Sequence, residues 1–155
     1  MEQATTRVTR FVSAPPAAVY RALLDPDAVQ QWMVPNGMTS EVHRFDAREG
    51  GEFAISLTYD DPVAVGKTEG ATDTFAGRFV QLVPSESVVQ VVAFDTTDPL
   101  LAGEMTIRYQ LTERDGGTEV VGIHEGLPPG VAPADNEWGW RISLGKLAQL
   151  VESRG

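Results

Sequence analysis

Glu104-Met105-Thr106-Ile107-Arg108-Tyr109-Gln110-Leu111 alternates apolar and polar residues without a break. Met105, Ile107, Tyr109 and Leu111 share one parity; Glu104, Thr106, Arg108 and Gln110 share the other. A period of two belongs to a pleated strand whose successive side chains point to opposite faces. One face of this segment is therefore expected to be buried and the other wet, as in an antiparallel sheet covered on one side only. Phe53, Ile55, Leu57 and Tyr59 repeat the pattern, as do Phe75 and Phe79.

Working outward, the same reading predicts strands near 7–12, 39–45, 52–60, 74–83, 87–94, 103–112 and 118–125. Turn chemistry separates them at Gly50-Gly51, Pro84-Ser85, Asp98-Pro99 and Asp115-Gly116-Gly117. Ser13-Ala14-Pro15-Pro16 breaks the first strand and opens a short helix to Leu24. Asp25-Pro26-Asp27 then caps a second one running to about Trp32. The polar stretch 60–73, with Gly66 and Gly70, is longer than a hairpin needs and reads as a mobile loop that could close one end of the sheet. After Leu127-Pro128-Pro129-Gly130, Pro133 opens the one long helix, with Asp135 and Glu137 in its first turn and Lys146 in its later half. Trp140, Leu144, Leu147 and Val151 form a single apolar stripe along it. A helix of roughly 20 residues spans ~30 Å, enough to cross a curved seven-stranded sheet. A straight rod and a twisted sheet cannot touch everywhere, so a pocket is expected between them.

The 155 residues carry 42% hydrophobic and 22% charged side chains, which suits one globular domain over 1–155. Twelve basic residues against 22 acidic ones leave a net charge of -10 with no Lys/Arg cluster, so neither nucleic acid nor a membrane surface is an expected partner. Met1 to Arg7 lacks a signal-peptide pattern and no apolar run reaches the ~20 residues of a span, which predicts a cytoplasmic protein. Zero cysteines exclude disulfides, thiolate metal sites and thiol nucleophiles.

Several strings together resemble the activators of heat-shock-protein ATPase, in the START-like superfamily of helix-grip proteins that also holds the polyketide cyclases. They are Ser13-Ala14-Pro15-Pro16-Ala17-Ala18-Val19-Tyr20, Trp32, Asp46-Ala47-Arg48-Glu49-Gly50-Gly51-Glu52-Phe53 and Gly77-Arg78-Phe79-Val80-Gln81-Leu82-Val83-Pro84. Gly117-Thr118-Glu119-Val120, His124-Glu125-Gly126-Leu127-Pro128 and Gly139-Trp140 with Leu144 and Leu147 complete the series. The resemblance implies an α+β helix-grip fold: a curved antiparallel sheet of seven strands, two short N-terminal helices, and the long C-terminal helix over the concave face. Tyr20 stands where the family often has Trp. The co-chaperones of the family carry a further N-terminal domain not seen in this sequence, so a chaperone-associated module is the least expected reading.

Motifs for other chemistry fail one by one. Gly66-Lys67-Thr68 looks like the end of a phosphate loop, but Asp61 stands where that loop needs glycine. No Gly-x-Ser-x-Gly or Gly-x-Gly-x-x-Gly string occurs. His43 and His124 are the only histidines, too few for a three-histidine zinc site, so no metal and no cofactor are expected. His124 shares parity with Val120 and Gly122, yet Val121 and Ile123 make the other face equally apolar, so periodicity leaves its direction open. Asp135, Asn136 and Glu137 read as helix initiation.

The expected function is binding of a hydrophobic small molecule between the long helix and the sheet. Trp32, Phe53, Ile55, Leu57, Tyr59, Phe79, Met105, Ile107, Tyr109, Trp140, Leu144 and Leu147 are the candidate lining residues. The alternative is a cyclase-, aromatase- or hydrolase-like enzyme in which His124, Tyr59 and Tyr109 move protons. Binding is preferred to catalysis, and the oligomeric state is left open, with a homodimer as one possibility.

Overall fold

The computed structural model describes residues 4–34, 37–59, 72–94, 99 and 102–154. The chain enters through β1 (Ala4–Val12), passes two short helices, α1 (Pro16–Leu23) and α2 (Pro26–Trp32), and then runs back and forth through six strands. These are β2 (Met38–Phe45), β3 (Glu52–Tyr59), β4 (Thr72–Val83), β5 (Ser87–Phe94), β6 (Met105–Arg114) and β7 (Gly117–Leu127). The last element is α3 (Pro133–Arg154). All seven strands form one antiparallel sheet in the order β1-β7-β6-β5-β4-β3-β2. The meander accounts for six strands, and β1 closes against the last of them, with Val8 opposite Gly122.

Local chemistry explains the joints. Asp115 and Gly116 both adopt positive φ (50° and 80°), the conformation of the tight turn that matches strand twist, and so join β6 directly to β7. Asp25 caps α2 by accepting from the Asp27 amide at 3.0 Å, with Pro26 in the first turn. Irregularities between Val42 and Arg44 and between Phe79 and Gln81 bend the sheet. At Gly77 a Cβ would lie 2.1 Å from the Val91 carbonyl oxygen and 3.0 Å from the Phe53 ring. Only glycine fits there, and its absence of a side chain lets Phe53 pack within 5.2 Å of the Phe79 ring centroid.

α3 crosses one face of the sheet, the helix-grip arrangement, and its two halves sit differently. From Ser143 onward Leu144, Leu147, Ala148 and Val151 are completely or almost completely buried. That end is fastened by the Lys146 ammonium donating to the Val34 carbonyl at 2.6 Å and by the Ser13 amide donating to the Glu152 carboxylate at 2.8 Å. The first turns are different: Ala134, Asp135 and Trp138 are exposed, while Asn136, Gly139 and Trp140 are half-buried. The apolar stripe thus becomes fully buried only from Leu144. None of the described helices is long and apolar enough to cross a membrane. The loop expected to act as a lid lies, over 60–71, outside the described residues, together with Gly66-Lys67-Thr68 and Asp98. Thr72 and Asp73 already belong to β4.

Candidate functional site

Two adjacent rows of inward-facing residues run across the sheet beneath α3. In the first, strand register places Thr6, His124, Ile107 and Gln90 side by side on β1, β7, β6 and β5. In the second, two residues and about 7 Å farther along each strand, Val8, Gly122, Tyr109 and Val88 stand together. The second row is solid. Leu144 comes down on Gly122, its Cδ1 3.7 Å from where a Cβ would be, and Tyr109 is sealed between Trp32 and Trp140.

Over the first row the helix stands off the sheet and leaves a cavity of about 450 Å³. Its walls are mostly apolar: Leu57, Phe75, Val92, Phe94, Met105 and Ile107 from the sheet, Met33 from the end of α2, and Val131 and Trp140 from above. A few polar groups converge on it, namely Asp73, Gln90, His124, Asn136 and Ser143, with Asp135 near the outer end. Among the described lining residues no Lys or Arg occurs. Gly139 lines it too, and a Cβ there would meet nothing within 4 Å. At position 139 the helix therefore puts no side chain into the hollow.

His124 is the chemical centre of this wall. It is 5% exposed, and Trp140 packs on it edge to face with ring centroids 4.4 Å apart. The Asn136 amide nitrogen lies 3.0 Å from His124 Nδ1, and the Thr6 hydroxyl donates to the Asn136 amide oxygen. An amide nitrogen can only donate, so Nδ1 must accept, and a neutral ring then carries its hydrogen on Nε2. Nε2 is buried and has no protein partner among the described residues. Burial pushes the imidazole down to about 3 from its ordinary 6.5, so the ring is neutral at neutral pH. Burial alone also pushes the Tyr109 phenol well above its usual range, and its hydroxyl is likewise unpaired.

Of the sequence-predicted lining residues, Leu57, Met105, Ile107 and Trp140 meet at the cavity, joined by His124. Trp32, Phe53, Ile55, Phe79, Tyr109, Leu144 and Leu147 fill the solid core beside it, and Trp32 spends its indole N–H on the Ala22 carbonyl at 3.0 Å. Tyr59 pairs with Met38 through its backbone, and its side chain lies outside the described residues. Asn136 escaped the sequence reading as a site residue because it resembles ordinary helix initiation. Gln90 had a signal: it is the one polar residue on the buried parity of Val88 and Val92. His43, on the opposite edge strand, bonds Ser56 at 2.7 Å and takes no part in the cavity.

Comparison with known proteins places this geometry in context. The profile of the family described as Activator of Hsp90 ATPase homolog 1-like protein matches residues 13–152. Protein CV1439 from Chromobacterium violaceum is 36% identical, aligns over 96% of each chain and superposes with a TM-score of 0.86. An AHSA1-like protein from Aeromonas hydrophila is 20% identical over 98% of this chain and 94% of its own, with a TM-score of 0.72. Protein MLL2253 from Mesorhizobium loti is 21% identical over 98% and 99%, with a TM-score of 0.74. The last two share the fold alone. A search among curated proteins finds no match.

Proposed function

The chain belongs to the family of Activator of Hsp90 ATPase homolog 1-like proteins, and from that premise we propose that it binds a predominantly apolar small molecule between the first turns of α3 and the sheet. The observation that carries this reading is the hollow of about 450 Å³ under one half of a helix whose other half is packed solid. Size, apolar walls and a few convergent polar groups are the usual makeup of a ligand cavity. An apolar molecule seated there takes the apolar part of the lining out of contact with water, which favours binding.

Native mass spectrometry of protein taken from its own host should show a non-covalent adduct that is lost when Gly139→Phe fills the hollow. No adduct, together with no binding of a neutral aromatic probe such as 1-aminoanthracene, would count against the reading. An enzyme using the same pocket has less support. Tyr109 is sealed in the core instead of lining the hollow, and an imidazole held neutral down to about pH 3 is a poor proton acceptor near neutrality.

A further inference from the structure

The polar groups of the cavity also say what kind of ligand it takes, an inference that rests on the binding reading above. Thr6 on β1, Asn136 on α3 and His124 on β7 form a chain of hydrogen bonds that crosses three elements. Each link has a direction. The Thr6 hydroxyl has a hydrogen to give, the Asn136 oxygen takes it, the Asn136 nitrogen gives one of its own, and Nδ1 of His124 receives. The end of the chain is an Nε2–H on a ring that forms part of the cavity wall, 5% exposed, with no protein acceptor among the described residues. An unpaired buried donor is destabilising, and natural structures keep few of them.

We propose that His124 Nε2–H is the donor that recognises a carbonyl or similar acceptor oxygen on an otherwise apolar ligand, with Asn136 as the positioning residue that fixes the tautomer. The edge-to-face contact with Trp140 holds the ring plane, so the donor is pre-oriented and loses little freedom on binding. Gln90, across Ile107 in the same row, offers a second polar contact about two strand spacings, or roughly 10 Å, away.

Two probes of almost equal shape test this: 2-acetylnaphthalene, which carries a carbonyl, and 2-ethylnaphthalene, which does not. In the unaltered chain and in His124→Phe both affinities are measured by calorimetry or tryptophan quenching. The affinity ratio should shift about tenfold toward the hydrocarbon in His124→Phe, the size of one net hydrogen bond. His124→Gln, which keeps an N–H donor, should hold most of the original ratio. An unchanged ratio in His124→Phe would overturn the inference and leave cavity binding intact, whereas failure of both probes to bind the unaltered chain would overturn the binding reading itself. Imidazole ¹⁵N spectra decide the tautomer without any ligand or variant. A protonated-type shift at Nε2 is expected, becoming a mixture in Asn136→Leu; a protonated Nδ1 in the unaltered chain would overturn the proposal.

Discussion

The two halves of α3 face the same sheet and meet opposite fates. Toward its C-terminus Leu144 and Leu147 sink completely into a core of Tyr109, Val88 and Trp32, and only two residues along the strands the helix passes over open space. Geometry supplies the gap, since a straight helix leaves a twisted sheet at one end. What comes down on each row decides which end stays open. Leu144 descends on Gly122 and Trp32 packs against Tyr109 in the second row, while the first row, Thr6, His124, Ile107 and Gln90, lies beneath a helix that has glycine at position 139. Packing at one end thus supports a binding volume at the other, and mutations should separate the two.

The largest effect is expected at the solid end. Leu147→Ala removes a wholly buried side chain and should cost about 3 kcal/mol by urea denaturation, within the range for buried leucines. Leu57→Ala, half-buried on the cavity wall, should cost only about 1 kcal/mol, because part of that surface has no packing partner to lose. Equal costs would mean that the two halves are not packed differently.

His124 gives the next effect, and it depends on pH. Its imidazole lies at about 3 in the folded chain against an ordinary 6.5. Between those values the unfolded chain binds the proton and the folded one does not, so stability falls as pH falls, leveling off below about 3. From about pH 7 to about pH 4.5 the unaltered chain should lose about 2 to 3 kcal/mol more than His124→Phe, read from urea midpoints at the two pH values. Parallel losses in the two proteins would show that the ring is hydrated and that the first row is wetter than its burial indicates.

The contrast between the halves also marks how far the sequence could be read. Period-two alternation located all seven strands, and the Pro and Asp-Pro signals located the helix starts, because both are local. The lining set was legible only in part. Large apolar residues are named equally well by periodicity whether they face a hollow or a core: Trp32, Phe53, Phe79 and Tyr109 lie in the core, while the equally bulky Phe75, Phe94 and Trp140 line the hollow. His124 had no readable direction because both parities of β7 are apolar. Asn136 had no local signature at all: its partner Thr6 is 130 residues away in sequence, and a contact at that separation leaves no periodic trace. Gln90, not singled out by the sequence reading, is the one polar residue on the buried parity of β5, the kind of burial exception that carries information.

Glycine gives the smallest effect and the most direct comparison within one helix. Gly139 and Gly145 both lie inside α3, and a Cβ at either would meet nothing within 4 Å. By helix propensity alone, Gly139→Ala and Gly145→Ala should each stabilise the chain by about 1 kcal/mol, measured by thermal or urea unfolding. A residue that costs this much and encounters no steric reason to be glycine needs another explanation, and at 139 the cavity supplies one. A methyl group there takes little of the volume, but the phenyl ring of Gly139→Phe would occupy space that a ligand needs. Gly139→Phe should therefore keep or raise stability while abolishing probe binding, whereas Gly145→Ala, which does not line the cavity, should raise stability and leave probe binding unchanged. Loss of binding in both variants would point to a general tightening of the helix, and the glycine at 139 would then have no special claim on the hollow beneath it.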